Sequence, residues 1–302
     1  MIRWISLLLL FSLTAQPQDL DATQREAIAR KIYALVQQYF AHWEGAPRPA
    51  VETAYKAYLD SAMRAATRKD FDLATLRFVA TLRNGHTQFS DNQADGRPLK
   101  FRLVQVEGQW AVGFSQDKNL PQGSVVRTIN GRPIDDFIRD SAVYIAASNE
   151  RLARTHVFSD PTLFPEQIAL GLQNGAIVVV DRATLPDAPP AAGALRGVEG
   201  RWLREGEIAY VRIPSFGDPN NESKAAELVR QFASSPNLIV DVRLNGGGTT
   251  PQQLIASLMN RQWRTWQQVT PPRSSQSQPP ARDAYPGRLF VLVDRFCGSA
   301  CE

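Results

Sequence analysis

Apolar positions along this chain change their spacing three times. From Asp21 to about Arg83 they fall at intervals of three and four, with Ile28, Ile32, Leu35, Val36 and Phe40 on one stripe. That spacing predicts amphipathic helices. The theme repeats over Val51 to Thr67 and Phe71 to Leu82, so a small domain of three helices is expected at about residues 20–90. Between Pro98 and Val180 the period shortens to two. Phe101 to Val106 alternates, Gln109 to Phe114 follows a Glu107-Gly108 turn, and Asn130-Gly131 marks a tight hairpin before a helix opening at Asp135. A helical insertion is expected from Ser141 to Leu172, with a return to strand at Ala176 to Asp181. Pro186 to Gly197, rich in Pro, Ala and Gly, reads as a linker.

Beyond the linker short apolar runs alternate with amphipathic segments, the pattern of an α/β sheet. Ile208 to Ile213 and Leu238 to Arg243 read as strands, Lys224 to Ala233 and Pro251 to Met259 as helices. Pro271 to Pro286 is a Pro/Ser/Gln stretch, read as a mobile loop positioned to cover a site. Leu289 to Val293 is an unbroken apolar run, as expected of a strand buried on both faces.

Both late strands end in turns that carry chemistry. After one comes Asn245-Gly246-Gly247-Gly248; after the other, Gly298 and then Ser299 at the expected start of a helix. In a parallel sheet both turns lie at the carboxyl edge, where open α/β folds place their sites. Glycines let backbone N–H groups crowd a ligand oxygen, and a serine beside them suits acyl transfer. The plainer reading makes Ser299 a helix cap and the glycine turn empty. No Lys-Ser/Thr follows Gly248, which excludes a P-loop, and the G-x-G-x-x-G spacing of a dinucleotide site is missing.

Composition narrows the choice. The 302 residues are 43% hydrophobic and 21% charged, which fits a globular, multidomain protein. A net charge of +4 comes from scattered Lys and Arg, so nucleic acid is not an expected partner. The start differs: Arg3, the apolar run Ile5 to Leu13, then Thr14-Ala15 before Gln16-Pro17 read as a signal peptide over residues 1–15. Export to a bacterial periplasm is expected, with an uncleaved membrane anchor as the alternative. In an oxidising compartment Cys297 and Cys301 can pair as a disulfide, or they can pack as two free thiols. With no histidine beside them they make no zinc site, and no metal or cofactor is expected. A cysteine nucleophile at either position is the remaining alternative.

Leu238-Ile-Val-Asp-Val-Arg-Leu-Asn-Gly-Gly-Gly248 resembles the D-[LV]-R-x-N-x-G-G signature of the C-terminal processing (tail-specific) serine peptidases, which share their core with tricorn protease. Four further stretches match in order. Arg83-Asn-Gly-His-Thr-Gln-Phe89 resembles the segment closing the family's helical domain. Gly123 to Ile134 resembles its PDZ-like module, and Ile208 to Phe216 the strand entering its catalytic domain. Leu289 to Glu302 resembles the strand and S-A-x-E turn that carry the nucleophile.

The resemblance implies a multidomain α/β protein. It has a helical N-terminal domain, a PDZ-like module at 97–185 with a helical insertion, and an incomplete crotonase-like/tricorn-like α/β core at 198–302. It implies Ser299 as nucleophile, with the amides of Gly247 and Ala300 as oxyanion hole. Arg243, Asn245 and Gly248 would shape the glycine turn. A peptide or protein substrate is the implied partner, and no metal is needed. The base is either His86, as in tricorn-like members, or a lysine later than the serine. The last lysine here is Lys224, Gly85 and Asn84 depart from the pattern before His86, and three residues follow Ser299, so a longer protein is expected. The rival class is a non-catalytic peptide-binding protein on the same scaffold.

Overall fold

A computed structural model describes residues 19–92, 96–184, 197–267, 274–294 and 297–301. The expected signal segment and residues 186–196 of the expected linker lie outside the described residues. The chain divides into two compact units, Met1–Ala188 and Pro189–Glu302. No helix among the described residues is long and apolar enough to cross a membrane.

The first unit opens with α1 (Ala22–Tyr39), α2 (Arg48–Arg64) and α3 (Arg68–Ala80). Two of them begin at reciprocal caps. Asp21 accepts from Gln24 N while Gln24 returns to Asp21 N, and Thr67 does the same with Asp70. Each cap satisfies backbone donors that the first helical turn cannot. The apolar stripes meet in a core containing Val51, Tyr58, Phe71, Phe78 and Leu82. Tyr58 stacks on Phe78 with ring centroids 4.8 Å apart, and its hydroxyl lies 3.0 Å from Thr75 Oγ1.

Two antiparallel sheets come next. One pairs β1 (Phe101–Val106) with β2 (Gln109–Ser115); the other contains β3 (Val126–Ile129) and β4 (Arg132–Pro133). Asn130 and Gly131 take φ of +50° and +78° between β3 and β4, the left-handed pair that a tight hairpin requires. Then come α4 (Ile134–Ser141) and α5 (Glu150–His156), flanked by short 3₁₀ turns. β5 (Gln167–Leu172) and β6 (Ile177–Asp181) complete the second sheet in the order β4-β3-β5-β6. The helical insertion is therefore shorter than its pattern suggested. Ile168, Leu170 and Leu172 face the core at alternate positions, as a strand and not a helix.

In the second unit β7 (Glu199–Arg204) pairs antiparallel with β8 (Ile208–Arg212), and α6 (Pro219–Gln231) leads to β9 (Asn237–Asp241). α7 (Gln252–Leu258) is followed by the hairpin β10 (Trp263–Gln267) and β11 (Ser274–Gln278), and then by β12 (Arg288–Leu292). The sheet runs β12-β9-β8-β7, with β8, β9 and β12 parallel. Ala225, Val229 and Phe232 of α6 and its cap pack with Val211, Leu238, Val240 and Tyr285. One expectation changes here. The Pro/Ser/Gln stretch contains strand β11, paired antiparallel with β10. Within residues 197–301 β12 stands last in the sheet order, with Phe290 49% and Val291 52% exposed.

Candidate active site

The chemistry gathers at the carboxyl ends of β9 and β12. β9 ends at Asp241, whose carboxylate is 1% exposed and saturated. It accepts from the Tyr210 hydroxyl at 2.7 Å, from Arg243 N at 3.0 Å, and from two guanidinium nitrogens of Arg243 at 2.9 and 2.6 Å. Burial by itself would raise this carboxyl, but the bonds from Arg243 and Tyr210 outweigh it and hold Asp241 down at about 2. Arg243 thus clamps the end of its own strand, and its own pKa is raised, first by the Asp241 hydrogen bond.

Past the clamp the chain turns sharply. Leu244 takes φ +66°, and its N–H donates to both carboxylate oxygens of Asp294, at 3.1 and 3.2 Å. This ties the end of β12 to the start of the glycine turn. Asn245 is fully buried and holds that turn in place. Its Nδ2 donates to Ile213 O at 3.2 Å, its Oδ1 accepts Gly247 N at 2.8 Å, and its carbonyl accepts Gly298 N at 3.3 Å. One residue therefore joins the segment just after β8, the glycine turn and the serine turn.

Gly247 lies against the serine turn at φ +97°. A Cβ on it would stand 2.5 Å from Gly298 O, 2.7 Å from Ser299 Cβ and 3.0 Å from Ala300 N. Only glycine permits that approach. Gly248, at φ +136°, is pressed as closely on Phe216, which donates its N–H to Gly247 O and accepts Thr249 N, both at 2.9 Å.

The serine turn is a 3₁₀ turn over Ser299–Cys301, and Ser299 takes φ +57°. A non-glycine residue in the left-handed region is held there by its surroundings. Cys301 N donates to Gly298 O at 3.1 Å, and a Cys297–Cys301 disulfide spans the turn with its Cα atoms 5.4 Å apart. Of the two cysteine states the sequence allows, the structure holds the disulfide, so neither sulfur is a free thiolate.

The second unit thus brings together Ser299, Ala300, Arg243, Asn245, Gly247 and Gly248. One expected role changes. Gly247 N–H is bonded to Asn245 Oδ1, so it does not point at an oxyanion. Among the described residues, the N–H groups of Gly248 and Ala300 make no hydrogen bond. The signal for this was present in Asn-x-Gly, where an Asn side chain commonly binds the amide two residues on. Sequence reasoning also missed the Tyr210–Asp241–Arg243 clamp and Asp294, whose partners come from different strands.

His86 belongs to the first unit, on an exposed turn after α3. Its N–H donates to Asn84 Oδ1 at 2.8 Å, and Thr87 N donates to Asn84 O at 3.2 Å. Asn84, which stands where the resemblance wants an acid, is nearly buried and builds the turn that carries His86. No group of His, Cys, Asp and Glu suited to a metal ion occurs among the described residues.

Residues 207–302 match the family model described as Peptidase family S41. No curated protein matches the chain. Among solved structures, mature CPAF matches 81% of this chain and 60% of its own length, at 14% identity and a TM-score of 0.55. Mature CPAF complexed with lactacystin gives a TM-score of 0.54 at 14% identity, over 81% of this chain and 61% of that one. A serine-to-alanine mutant of CPAF gives 0.57 at 14% identity, over 80% and 60%. At that identity the likeness is one of fold, and this chain spans about three fifths of those structures' length. Residues 207–302, which hold the glycine turn and the serine turn, are thus the part of this chain that is similar to peptidase family S41.

Proposed function

We propose that this protein is an exported serine endopeptidase acting on unstructured or C-terminally presented peptides, with Ser299 as nucleophile. The observation that carries this reading is the close seating of Gly247 against Ser299. Two glycines in conformations and contacts open only to glycine, and a serine at φ +57°, are an arrangement that a helix cap does not need. In this reading Ser299 Oγ attacks the peptide carbonyl and gives its proton to a base. The N–H groups of Ala300 and Gly248 receive the oxyanion, with Gly248 in the part first expected of Gly247. The tetrahedral intermediate expels the amine, and water then releases the acyl group from Ser299. His86 is this chain's candidate base, and a lysine in a longer protein is the alternative. Arg243 and Asn245 position the turn. The β module at 97–185 would act like a PDZ domain, adding the substrate as a strand to a sheet edge.

The test is labelling with a fluorophosphonate probe, followed by peptide mapping. The expected label is on Ser299 and is lost in Ser299→Ala. Lactacystin, bound in one CPAF structure, is a second probe. A folded full-length protein that takes no label would establish the rival reading, a non-catalytic peptide-binding protein, which the occupied Gly247 N–H favours. Labelling at pH 5 to 9 in His86→Gln separates the two bases. An unchanged profile assigns the proton to the lysine.

A further inference from the structure

Apart from the serine turn, the first unit has a cavity of about 310 Å³. Its wall is mixed in a particular way. Leu76 and Val79 of α3, with Phe89 and Ile145, form an apolar side. Asp72, Asp91 and Asp160 contribute carboxyls to the same lining, and His156 lies at the rim on an exposed position.

Two of these carboxyls have duties in the fold. Asp91 pairs with Arg68 through two guanidinium nitrogens, and Asp160 caps a 3₁₀ turn by accepting Thr162 N at 2.9 Å. Asp72 differs. It is 2% exposed; the carboxyl shares a hydrogen bond with Asp91, and its Oδ1 is buried with no hydrogen-bond partner. A buried carboxyl oxygen without a donor costs free energy that a core side chain would not. One turn further along α3, Leu76 shows that the same face accepts an apolar residue. The cavity therefore joins an apolar channel to an acceptor that lacks its donor.

We propose that this cavity binds a primary ammonium or guanidinium group carried on an aliphatic stem, with the cation donating to Asp72 Oδ1 and the stem lying along Leu76, Val79 and Phe89. A bare metal ion would leave the apolar wall unused, and a neutral alkyl chain would leave Asp72 Oδ1 without a donor. The local charge agrees. Among the described residues the cation acting on Asp72 is Arg68, and Asp91 and Asp160 oppose it, so an ionised Asp72 leaves negative charge for a ligand to neutralise. Burial first, and then the charge of Asp91, push Asp72 up to about 7, against a smaller opposing pull from Arg68. Without a ligand the carboxyl therefore holds its proton up to about neutral pH. A bound cation displaces that proton to solvent. The titratable and charged groups facing it are Asp91, Arg68, Asp160 and His156.

Two sources carry this chemistry, a lysine or arginine side chain of a peptide and a free alkylamine. The experiment is isothermal titration of the full chain with pentylamine, pentanol and a capped Ala-Lys-Ala peptide. Pentylamine is expected to bind about tenfold more tightly at pH 8 than at pH 6, with a proton released at pH 6. Pentanol should bind at least tenfold more weakly, and Asp72→Asn should abolish the preference. Peptide binding that tracks the same pH course assigns a side chain as the natural ligand; binding of pentylamine alone assigns a free amine. Pentylamine binding that matches pentanol, or that does not change with pH, overturns the proposal, as does no binding at all. The pentanol comparison on the unaltered protein decides the matter if Asp72→Asn does not fold.

Discussion

Asp241 and Asp72 are both almost wholly buried, one in each unit, yet they sit on opposite sides of the ordinary carboxylate range. Asp241 is held at about 2 and Asp72 is pushed up to about 7. Desolvation raises both. The difference lies in what each oxygen meets. Asp241 accepts four hydrogen bonds from Tyr210 and Arg243, two of them from a guanidinium that reaches solvent. Asp72 lies near a second carboxyl and leaves one oxygen without a donor. Depth of burial therefore does not tell a structural carboxylate from one awaiting a ligand; the count of donors does.

The largest test of the saturated side is Gly247→Ala. A methyl 2.5 Å from Gly298 O at φ +97° has no room and the wrong backbone. A loss of about 3–4 kcal/mol in urea unfolding is expected, with loss of probe labelling at Ser299. Unchanged stability would show that the glycine turn is not seated on the serine turn. Asp241→Ala comes next, at about 3 kcal/mol, because it orphans the buried Tyr210 hydroxyl as well as releasing Arg243. A loss below about 0.5 kcal/mol, the level of an ordinary surface change, would erase the contrast with Asp72.

The Cys297–Cys301 disulfide encloses a very short loop, so reducing it should cost about 2 kcal/mol at most. Its clearer effect should be slower labelling of Ser299, measured with and without a phosphine reductant. Equal rates would leave the disulfide no part in holding the turn.

The smallest effects are in pH dependence, where the two carboxyls have opposite signs. Asp241 titrates below its ordinary value, so its stabilisation is complete above about pH 4 and is lost as pH falls through about 2. Asp72 titrates above its ordinary value, so ionising it weakens the fold as pH rises from about 4 to about 7. Asp72→Asn should therefore be more stable than the parent at pH 8 and about equal to it at pH 4, measured by thermal unfolding across that range. A variant less stable than the parent at pH 8 would make Asp72 a structural carboxylate like Asp241.

Much of the second unit could be read before any coordinates. β8, β9 and β12 are short apolar runs, and α6 between the first two has its apolar residues at helical spacing. The turns after β9 and β12 were legible for a local reason, since Gly247 and Gly298-Ser299 are backbone signals within a few residues. The β10–β11 hairpin was not. Ser274–Gln278 has no apolar alternation, and it becomes a strand by backbone pairing with Trp263–Gln267.

What the sequence determined by itself is therefore local: helix stripes and caps, the Asn130-Gly131 hairpin, the glycine turn, and a serine following a strand. Periodicity and turn chemistry act over a few residues and leave their mark there. Tertiary structure decided which groups meet. It set Asn245 across three segments, gave Asp241 its donors from Tyr210 and Arg243, gave Gly247 N–H to a side chain, and left Asp72 Oδ1 without a donor inside a cavity. Each depends on the spacing between separate elements after packing, and hydrogen-bond saturation is set by that spacing, not by the identity of the residue.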